Sequence, residues 1–532
     1  MEIFESFGIE GEVTKQWEPA TDEILWCRNE SGTLSRMERF RNEPPVGVKW
    51  THGTLQQGRV EEIMKKRITE ISGVEVEYST ELSDLTINTR ESSNSKASAC
   101  SVTIRSVADD QEAHRSSETI RARYIIGADG GRSSIRDLMG VAMEGTKGTA
   151  IWGVMDILGG SDFPDFGATS VVRSDSDGAV DFVRREEGLT RIYVELNKCA
   201  AGWEALERDT ITPELILEKC RYIIRPYKLE VDYVEWWSSF TVWQRLSKSM
   251  IVHDRVFLVG DAVHTHSPLC GMGMNTGIQD SFNLGWKLAG VVQGQLNYDI
   301  LQTYETERRP VAEALLDTDR TVLDLFHAPL GPEAEALLAK VPALQVYLGG
   351  RGICYHESVL TCRLAQTLGD LTAGECLPDV TVFDYATGRP SSTHSWIKGN
   401  GGWAIIVWAG DVSRPSQMNL VQSLSRDMIE LRDSLGKSGS MIDFFLIHCS
   451  AWPSVELADF PPLFFPTTKT IGRPNGRIFV DEKAVYDGLH ISRAEGGVAI
   501  VRPDKHIAWA GGLQEVDSLQ RYLRQVFRPQ PE

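Results

Sequence analysis

The sequence of 532 residues predicts an α/β protein with more than one domain. A chain of this length exceeds what one hydrophobic core supports, so about three domains are expected. Two apolar stretches end in a glycine-flanked aspartate, Asp129 and Asp261, as strands do at the carboxyl edge of a parallel sheet. After residue 377 the order is β-α-β and then β-β-α, which is typical of a thioredoxin-like domain.

Changes of pattern along the chain predict the domain boundaries. Residues 1–150 and 251–345 are assigned to two parts of one α/β domain, because each part contains one aspartate motif and a helical pattern. Residues 151–250 are rich in short strands and turns, which indicates a separate β-sheet domain. A glycine-rich break predicts a linker over residues 346–376, and residues 377–532 form the thioredoxin-like domain.

Composition and charge exclude several classes of function. The net charge of −19 argues against nucleic acid or an anionic membrane surface as a partner. The nine cysteines include no CxxC pair, which excludes a regular zinc site and a dithiol redox motif. No apolar run has membrane-spanning length and no signal peptide is recognisable, so we expect a cytoplasmic protein.

The stretch from Arg255 to Gly290 has the pattern strand, tight loop, helix. Asp261 at the strand tip can accept hydrogen bonds from the hydroxyls of a polyol, while Gly271 and Gly273 let the backbone approach a ligand closely. The helix that follows offers free N–H groups and the positive end of its dipole. A polyol next to a stabilised anion fits a reduced flavin. The alternative is that the Gly-Asp pair only ends the strand and turns the chain.

The stretch "YIIGADGGRSSIR" supports the flavin interpretation. It is a second buried strand that ends at Asp129, with Ser134 and Arg136 one turn further on. This segment resembles the pyrophosphate-side motif of flavin-dependent aromatic hydroxylases. A second motif of this kind favours a ligand site over two unrelated turns.

Together these segments resemble the group A flavoprotein monooxygenases, and most closely the fungal phenol 2-monooxygenase family. The resemblance runs through "GDAVHTHSPLCGMGMNTGIQDSFNLGWKLAGVVQG" and "LQTYETERRPVAEALLD". It implies an FAD-binding Rossmann-like domain, a β-sheet substrate domain and a C-terminal thioredoxin-like domain without redox activity. It also implies FAD as cofactor, with NADPH and O2 as co-substrates.

The resemblance also implies roles for individual residues around the flavin. Gln57 would lie beside the FAD, Asp129 near its pyrophosphate and Asp261 at its ribityl chain. Contacts to the flavin ring would come from a short loop and helix start, namely Gly273, Met274 and Asn275.

The segment "RREEGLTRIYVEL" aligns with the part of the family that faces the substrate. Tyr193 and Arg185 are the catalytic candidates, and Arg191 and Tyr193 the substrate-binding ones. A tyrosine hydroxyl can orient a phenol oxygen, and a buried arginine can stabilise phenolate. The alternative is a solvated strand face, on which the two arginines pair with nearby glutamates.

The sequence departs from the family pattern in its first residues. No G-x-G-x-x-G is present, and Met1–Glu5 align with the helix that follows this motif in the family. We therefore expect an FAD-binding domain that is incomplete at the N-terminus, and the family's catalytic aspartate has no counterpart here. His264 and His266 suggest a metal, but no third ligand is near in sequence, so no metal is predicted.

The expected function is hydroxylation of a phenolic or other aromatic compound of secondary metabolism. The resemblance implies that the oxygen is transferred from a flavin C4a-hydroperoxide. Within enzymes, the alternative is a flavin-dependent epoxidase, oxidase or Baeyer–Villiger-type catalyst. Outside enzymes, the alternative is a non-catalytic remnant that acts through protein–protein contacts. A homodimer is left open, and the identity of the substrate is not predicted.

Overall fold

A computed structural model gives the fold of most of the chain. The structure describes residues 1–29, 31–42, 49–88, 97–107, 117–197, 210–327, 336, 339–340, 352–363, 367–465 and 476–529. The end of the predicted range 251–345 and parts of the predicted linker 346–376 lie outside these residues. Among the described helices, none is both long enough and apolar enough to cross a bilayer.

Ten described α-helices are numbered here in chain order. They are α1 (Glu2–Phe7), α2 (Glu10–Gln16), α3 (Gln57–Ser72), α4 (Ser134–Leu138), α5 (Pro213–Ile224), α6 (Gly273–Val292), α7 (Thr303–His327), α8 (Pro415–Ser434), α9 (Val485–Gly488) and α10 (Val516–Val526). Short 3-10 turns occur at Glu186–Gly188, Gly260–Ala262, Tyr298–Gln302, Thr393–Trp396, Lys437–Met441, Leu457–Asp459 and Pro462–Phe464.

The described strands form five sheets. They are β1 (Glu18–Pro19), β2 (Asp22–Arg28), β3 (Leu34–Arg41), β4 (Gly53–Thr54), β5 (Thr80–Ile87), β6 (Cys100–Ser106), β7 (Ser117–Ala122), β8 (Ile125–Gly127), β9 (Met143–Ser161), β10 (Thr169–Ser174), β11 (Gly178–Arg184), β12 (Thr190–Glu195), β13 (Leu229–Ser247), β14 (Ile251–Val252), β15 (Val256–Leu258), β16 (His264–Thr265), β17 (Thr381–Asp384), β18 (Pro390–Ser392), β19 (Trp403–Gly410), β20 (Ile442–His448), β21 (Ile478–Val480), β22 (Gly497–Val501) and β23 (Ile507–Gly511).

The two aspartate motifs follow neighbouring strands of one sheet. Strands β8 and β15 pair in parallel, with Gly127 opposite Leu258, in the order β14-β15-β8. The three residues of β15 are buried, as expected for a strand covered on both faces. Because parallel strands end at the same edge, the turns after Gly127 and Leu258 lie close together. The predicted strands and their shared edge are confirmed.

The β-rich middle region forms a twisted sheet in the order β16-β13-β9-β12-β11-β10-β2-β3. One face is apolar and packs on helix α5, which begins at Pro213 with a Thr212 side-chain cap. The other face borders a large cavity. Strands β2 and β3 precede the predicted range 151–250, and β2 joins through parallel pairing with β10. That pairing links segments far apart in the chain, which a local pattern does not reveal.

The C-terminal region contains the predicted β-α-β and β-β-α order. Strands β19 and β20 are parallel and joined by helix α8, and the hairpin β22-β23 lies antiparallel to β19. Every residue of β19 is buried, because the sheet is covered on both faces. Three short strands, β17, β18 and β21, extend this sheet beyond the prediction. The mixed α/β fold class is confirmed.

Candidate active site

A cavity of about 1890 Å³ lies between the inner face of the large sheet, the two aspartate turns and the start of helix α6. This volume exceeds the roughly 300–1,000 Å³ of a pocket for one small ligand, so it can hold a cofactor and a substrate together. Nine residues singled out from the sequence line it: Gln57, Arg185, Arg191, Tyr193, Asp261, Gly271, Gly273, Met274 and Asn275.

The buried carboxylate of Asp280 holds the turn that carries Asp261 in place. Gly260 has a φ of 57°, and a Cβ there would lie 3.3 Å from the Gly277 Cα of helix α6. The Asp280 carboxylate accepts hydrogen bonds from the Gly260 N–H at 3.2 Å and from Arg308 Nε at 2.6 Å. The carboxylate of Asp261 itself is exposed to the cavity. Sequence reasoning missed this support.

Asp280 is ionised despite its burial. Burial alone would raise the pKa of this carboxyl, but Arg308 and His264 hold the pKa below its ordinary value. His264 Nε2 lies 3.0 Å from the Asp280 Oδ2. The buried His264 therefore supports the turn through Asp280 and is not among the residues that line the cavity.

The first turn of helix α6 presents backbone N–H groups to the cavity. The helix begins at Gly273 without a side-chain cap, so its first N–H groups are available to a ligand. Gly271 has a φ of 63°, which shapes the loop before the helix, and Asn275 Nδ2 donates to the Gly271 carbonyl at 3.1 Å. The positive end of the helix dipole adds to these donors, and together they favour a negatively charged group.

His266 carries a positive charge beside this helix start. Burial would lower the pKa of His266, but hydrogen bonding to Asp319 and Cys270 raises it to about 10. The side chain is 5% exposed, its Nε2 has no partner among the described residues, and a Cβ on Gly273 would lie 3.4 Å from that nitrogen. The His266 Nε2–H group is therefore a fixed cationic donor on the cavity lining.

His266, Cys270 and Asp319 have the residue types of a metal site, since their ligand atoms lie within 4.8 Å of one another. His266 Nδ1 lies 2.6 Å from the Ser267 carbonyl oxygen. Because a carbonyl oxygen only accepts, Nδ1 carries the proton and is not available to a metal. Asp319 also accepts from the Ser267 backbone N–H at 3.0 Å and from Gln244 Nε2 at 2.7 Å. The geometry favours a hydrogen-bonded charge cluster.

Asp129 lies beside the cavity, not on its lining. Its carboxylate accepts hydrogen bonds from the Ser133 hydroxyl at 2.5 Å and from the Ile135 N–H at 3.0 Å, which fixes the start of helix α4. Its neighbours line the cavity in its place: Ala128, Gly130, Gly131 and Arg132. A pyrophosphate contact of Asp129 stays a prediction, and the structure assigns this side chain a local capping role.

The sheet wall of the cavity carries the predicted substrate residues. Arg191 forms a two-pronged ion pair with the buried Asp156, with Nε–Oδ1 and Nη2–Oδ2 distances of 2.7 Å. Arg185 pairs with Glu186 at 3.1 Å, and both side chains are 3% exposed. The alternative of arginine–glutamate pairs therefore describes Arg185, although that pair is buried and not solvated.

Tyr193 is coupled to Arg191 on this wall. Burial raises the pKa of the Tyr193 hydroxyl, and the nearby Arg191, which also hydrogen-bonds to it, offsets part of that shift. Because an arginine N–H donates to the tyrosine oxygen, the hydroxyl hydrogen is left to donate to another acceptor. Tyr193 thus offers a directed hydrogen-bond donor to the cavity.

Two carboxylates on the same wall were missed by sequence reasoning. Asp181 is 9% exposed and Glu23 is more exposed, and both residues line the cavity. Burial and the Glu23 carboxylate raise the pKa of Asp181 to about 8. The one available signal was the aspartate within the apolar strand "AVDFV", which looked like ordinary strand alternation.

The polar groups of the helix side of the cavity fit a flavin nucleotide. Two buried polar atoms, Thr265 Oγ1 and His266 Nε2, have no partner among the described residues, and both residues line the cavity. Glycines leave room for close approach of a planar ring, and the helix start with His266 suits an anion. The exposed Asp261 suits hydroxyl groups.

Two family models match the chain. The model described as FAD binding domain covers residues 1–319, and the one described as phenol hydroxylase, C-terminal dimerisation domain, covers residues 353–531. The FAD-dependent monooxygenase ankC of Aspergillus thermomutatus is 41% identical, over 99% of this chain and 90% of its own length. The 3-hydroxybenzoate 4-monooxygenase of Comamonas testosteroni is 30% identical, over 99% of this chain and 87% of its own.

Solved structures share the fold. The flavin-dependent monooxygenase PieE, in complex with FAD and substrate, superposes with a TM-score of 0.69 at 18% identity, over 98% of this chain and 90% of its own. Aklavinone-11 hydroxylase, in complex with FAD and aklavinone, gives a TM-score of 0.68 at 20% identity, over 99% of this chain and 89% of its own. The predicted family and cofactor are confirmed: the chain belongs to the FAD-dependent monooxygenases with a phenol hydroxylase-type C-terminal domain, and FAD is its cofactor.

Proposed function

We propose that the protein hydroxylates a phenolic ring of a secondary metabolite, with NADPH as reductant and O2 as oxygen source. The observation that carries the proposal is the Tyr193–Arg191 pair on the wall of the same cavity that holds the flavin-compatible helix start. A relative that is named for hydroxylating hydroxybenzoate supports a phenolic substrate. When bound, FAD would supply the redox chemistry, carrying electrons from NADPH and activating O2 for transfer to the ring.

The residues of this chain bind the partners and position them. Asp261 would accept hydrogen bonds from the ribityl hydroxyls of FAD. The loop and helix start that would hold the flavin ring contain Gly271, Gly273, Met274 and Asn275, and Gln57 would lie beside the cofactor. Tyr193 donates its hydrogen to the phenol oxygen and so fixes the ring orientation. Arg191 is committed to Asp156, so it holds the tyrosine in place and raises its ability to donate.

The roles of Arg185 and Asp129 follow from their own contacts. Arg185 is held by Glu186 and lies 3.7 Å from Asp156, so it adds positive potential where phenolate forms. Asp129 orders the turn beside the pyrophosphate of FAD. We also propose that the C-terminal region forms a homodimer, which the description of its family model supports. The proposed domain boundaries are those predicted from the sequence, except that strands β2 and β3 are added to the β-rich domain.

The experiment compares Asp261→Ala with the unchanged protein and with Asp299→Ala, an exposed aspartate outside the cavity lining. Loss of a charged acceptor weakens binding by about 10- to 100-fold, so Asp261→Ala protein is expected to lose most of its flavin absorbance. The unchanged protein is expected to be yellow, to oxidise NADPH and to add one oxygen atom to a phenol. Equal flavin content in all three proteins would reject the site, and phenol-independent NADPH oxidation without product would reject the reaction.

A further inference from the structure

Asp181 is a buried carboxylate on the cavity lining whose hydrogen bonds within the protein are incomplete. It lies in strand β11, directly across from Tyr193 on strand β12 and from Val171 on strand β10. Its side chain is 9% exposed and lines the cavity, and its Oδ1 is buried without a hydrogen-bond partner among the described residues. A buried carboxylate oxygen that has no partner in the protein is costly, because it loses its water and gains nothing in return.

Glu23 places a second carboxylate on the same wall. It lies in strand β2, next to strand β10, and its accessible surface faces the cavity, which it lines. Glu23 keeps surface that is open to the cavity, but the protein atoms around it remove part of its water and raise its pKa, and the Glu23 carboxylate in turn disfavours ionisation of Asp181. Two carboxylates that repel each other in a partly dry site favour a shared cation.

The arginines of this wall do not supply that cation. Arg191 donates to Asp156 through its Nε and its Nη2, and Arg185 is paired with Glu186. Arg173, on strand β10, makes an interaction of its own, and no arginine contributes to the shift of the Asp181 pKa. A positive charge that pairs with the two carboxylates would therefore come with a ligand.

We propose that Asp181 and Glu23 form a subsite for a positively charged nitrogen of the substrate. This inference rests on the proposed hydroxylation, and it names the substrate class as a phenol that carries a protonated amine or guanidinium group. Neighbouring strands lie about 4.8 Å apart, so Asp181 is one strand and Glu23 three strands from Tyr193. The cation therefore sits on a side chain of the substrate, away from the hydroxylated ring position.

The test uses three phenols that differ in one terminal group. Tyramine ends in an ammonium group, 4-propylphenol in a methyl group of similar size, and 3-(4-hydroxyphenyl)propionate in a carboxylate. Isothermal titration calorimetry with the flavin-loaded full chain at pH 7 measures their affinities. Tyramine is expected to bind at least about tenfold more tightly than 4-propylphenol, since a charge-assisted hydrogen bond contributes about 1.5–3 kcal/mol, and the propionate is expected to bind most weakly.

Variants connect this preference to the two carboxylates. Asp181→Asn and Glu23→Gln are each expected to remove most of the preference for tyramine while leaving the affinity for 4-propylphenol within about threefold. Asp175→Asn, an exposed aspartate in the turn between strands β10 and β11, makes the same charge change and is expected to keep the preference.

The heat of binding also reports protonation. If the carboxylates ionise to meet the ammonium group, tyramine binding releases protons, and its apparent enthalpy changes with the ionisation enthalpy of the buffer. The 4-propylphenol titration is expected to show no such dependence. The release should be clearly smaller in Asp181→Asn.

Each result decides one claim. Equal affinity for tyramine and 4-propylphenol, no tyramine binding at all, or an unchanged preference in Asp181→Asn would overturn the cation subsite. A tyramine preference without oxygen transfer to any of the three phenols would keep the subsite and reject the proposed hydroxylation. Hydroxylation of 4-propylphenol without any charge preference would keep the reaction and reject the subsite.

Discussion

Glu307, in helix α7 at the contact with the C-terminal domain, and Asp181, on the cavity wall, are buried carboxylates in different surroundings. Glu307 accepts from Lys287 Nζ at 2.6 Å and from two nitrogens of Arg502 at 2.6 and 2.8 Å. Arg502 is also bound by Asp504 at 2.6 Å. The carboxylate at the domain contact therefore has its partners within the chain, whereas one oxygen of Asp181 has none among the residues that the structure describes.

The pKa values follow this difference. Burial would raise the pKa of Glu307, but Arg502 and Lys287 lower it to about 2. Burial and Glu23 raise the pKa of Asp181 to about 8. A complete set of partners makes the first carboxylate part of the fold. An incomplete set leaves the second dependent on a ligand, at a cost in stability.

Removing the charge of Glu307 is expected to have the largest effect on stability. Glu307→Gln leaves Lys287 and Arg502 buried with one anion fewer, so the free energy of unfolding should fall by about 3–5 kcal/mol. Urea unfolding of the flavin-loaded protein measures the change. Glu313→Gln, at an exposed position of the same helix, is the matched control and should stay within about 0.5 kcal/mol.

The pH dependence of unfolding sharpens the same point. The folded protein keeps Glu307 ionised to about pH 2, whereas the unfolded chain takes up the proton below 4.5. The contribution of Glu307 to the free energy of unfolding is therefore complete above pH 4.5 and is lost as the pH falls towards 2. Glu307→Gln should lack this component. An equal acid response in both proteins would show that the network contributes little to the fold.

Asp181→Asn is expected to have a smaller effect of opposite sign. Between pH 3.8 and about 8 the unfolded chain ionises this group while the folded protein keeps the proton, so the free energy of unfolding falls as the pH rises. The neutral asparagine removes this loss. Without substrate, the melting temperature of the Asp181→Asn protein should exceed that of the parent by a few °C at pH 8 and by less at pH 5. A lower melting temperature at pH 8, with Asp175→Asn unchanged, would contradict the comparison.

Local patterns predicted the parts of the site that depend on neighbours in sequence. The strand before Asp261 and the helix after Gly273 follow from apolar runs and glycines that stand next to each other in the chain. The residues that support this loop do not follow from local patterns. Arg308 and Asp319 come from helix α7, and they meet Asp280 and Ser267 only in the folded protein. The role of Asp181 depends on a cavity formed by separate segments.

The smallest effect on stability is expected for Tyr193→Phe, since it removes one hydrogen bond to Arg191, or about 1 kcal/mol. Its effect on the reaction should be larger. The phenylalanine keeps the ring but donates no hydrogen to the phenol, so a bound substrate still fills the cavity but is poorly oriented. NADPH oxidation should continue while hydroxylated product falls at least about tenfold and hydrogen peroxide accumulates. Tyr233→Phe, on an exposed part of strand β13, should keep the parental ratio of product to NADPH. If Tyr193→Phe kept that ratio as well, the tyrosine would be a structural neighbour of Asp181, and the cavity wall would orient its substrate through the carboxylates alone.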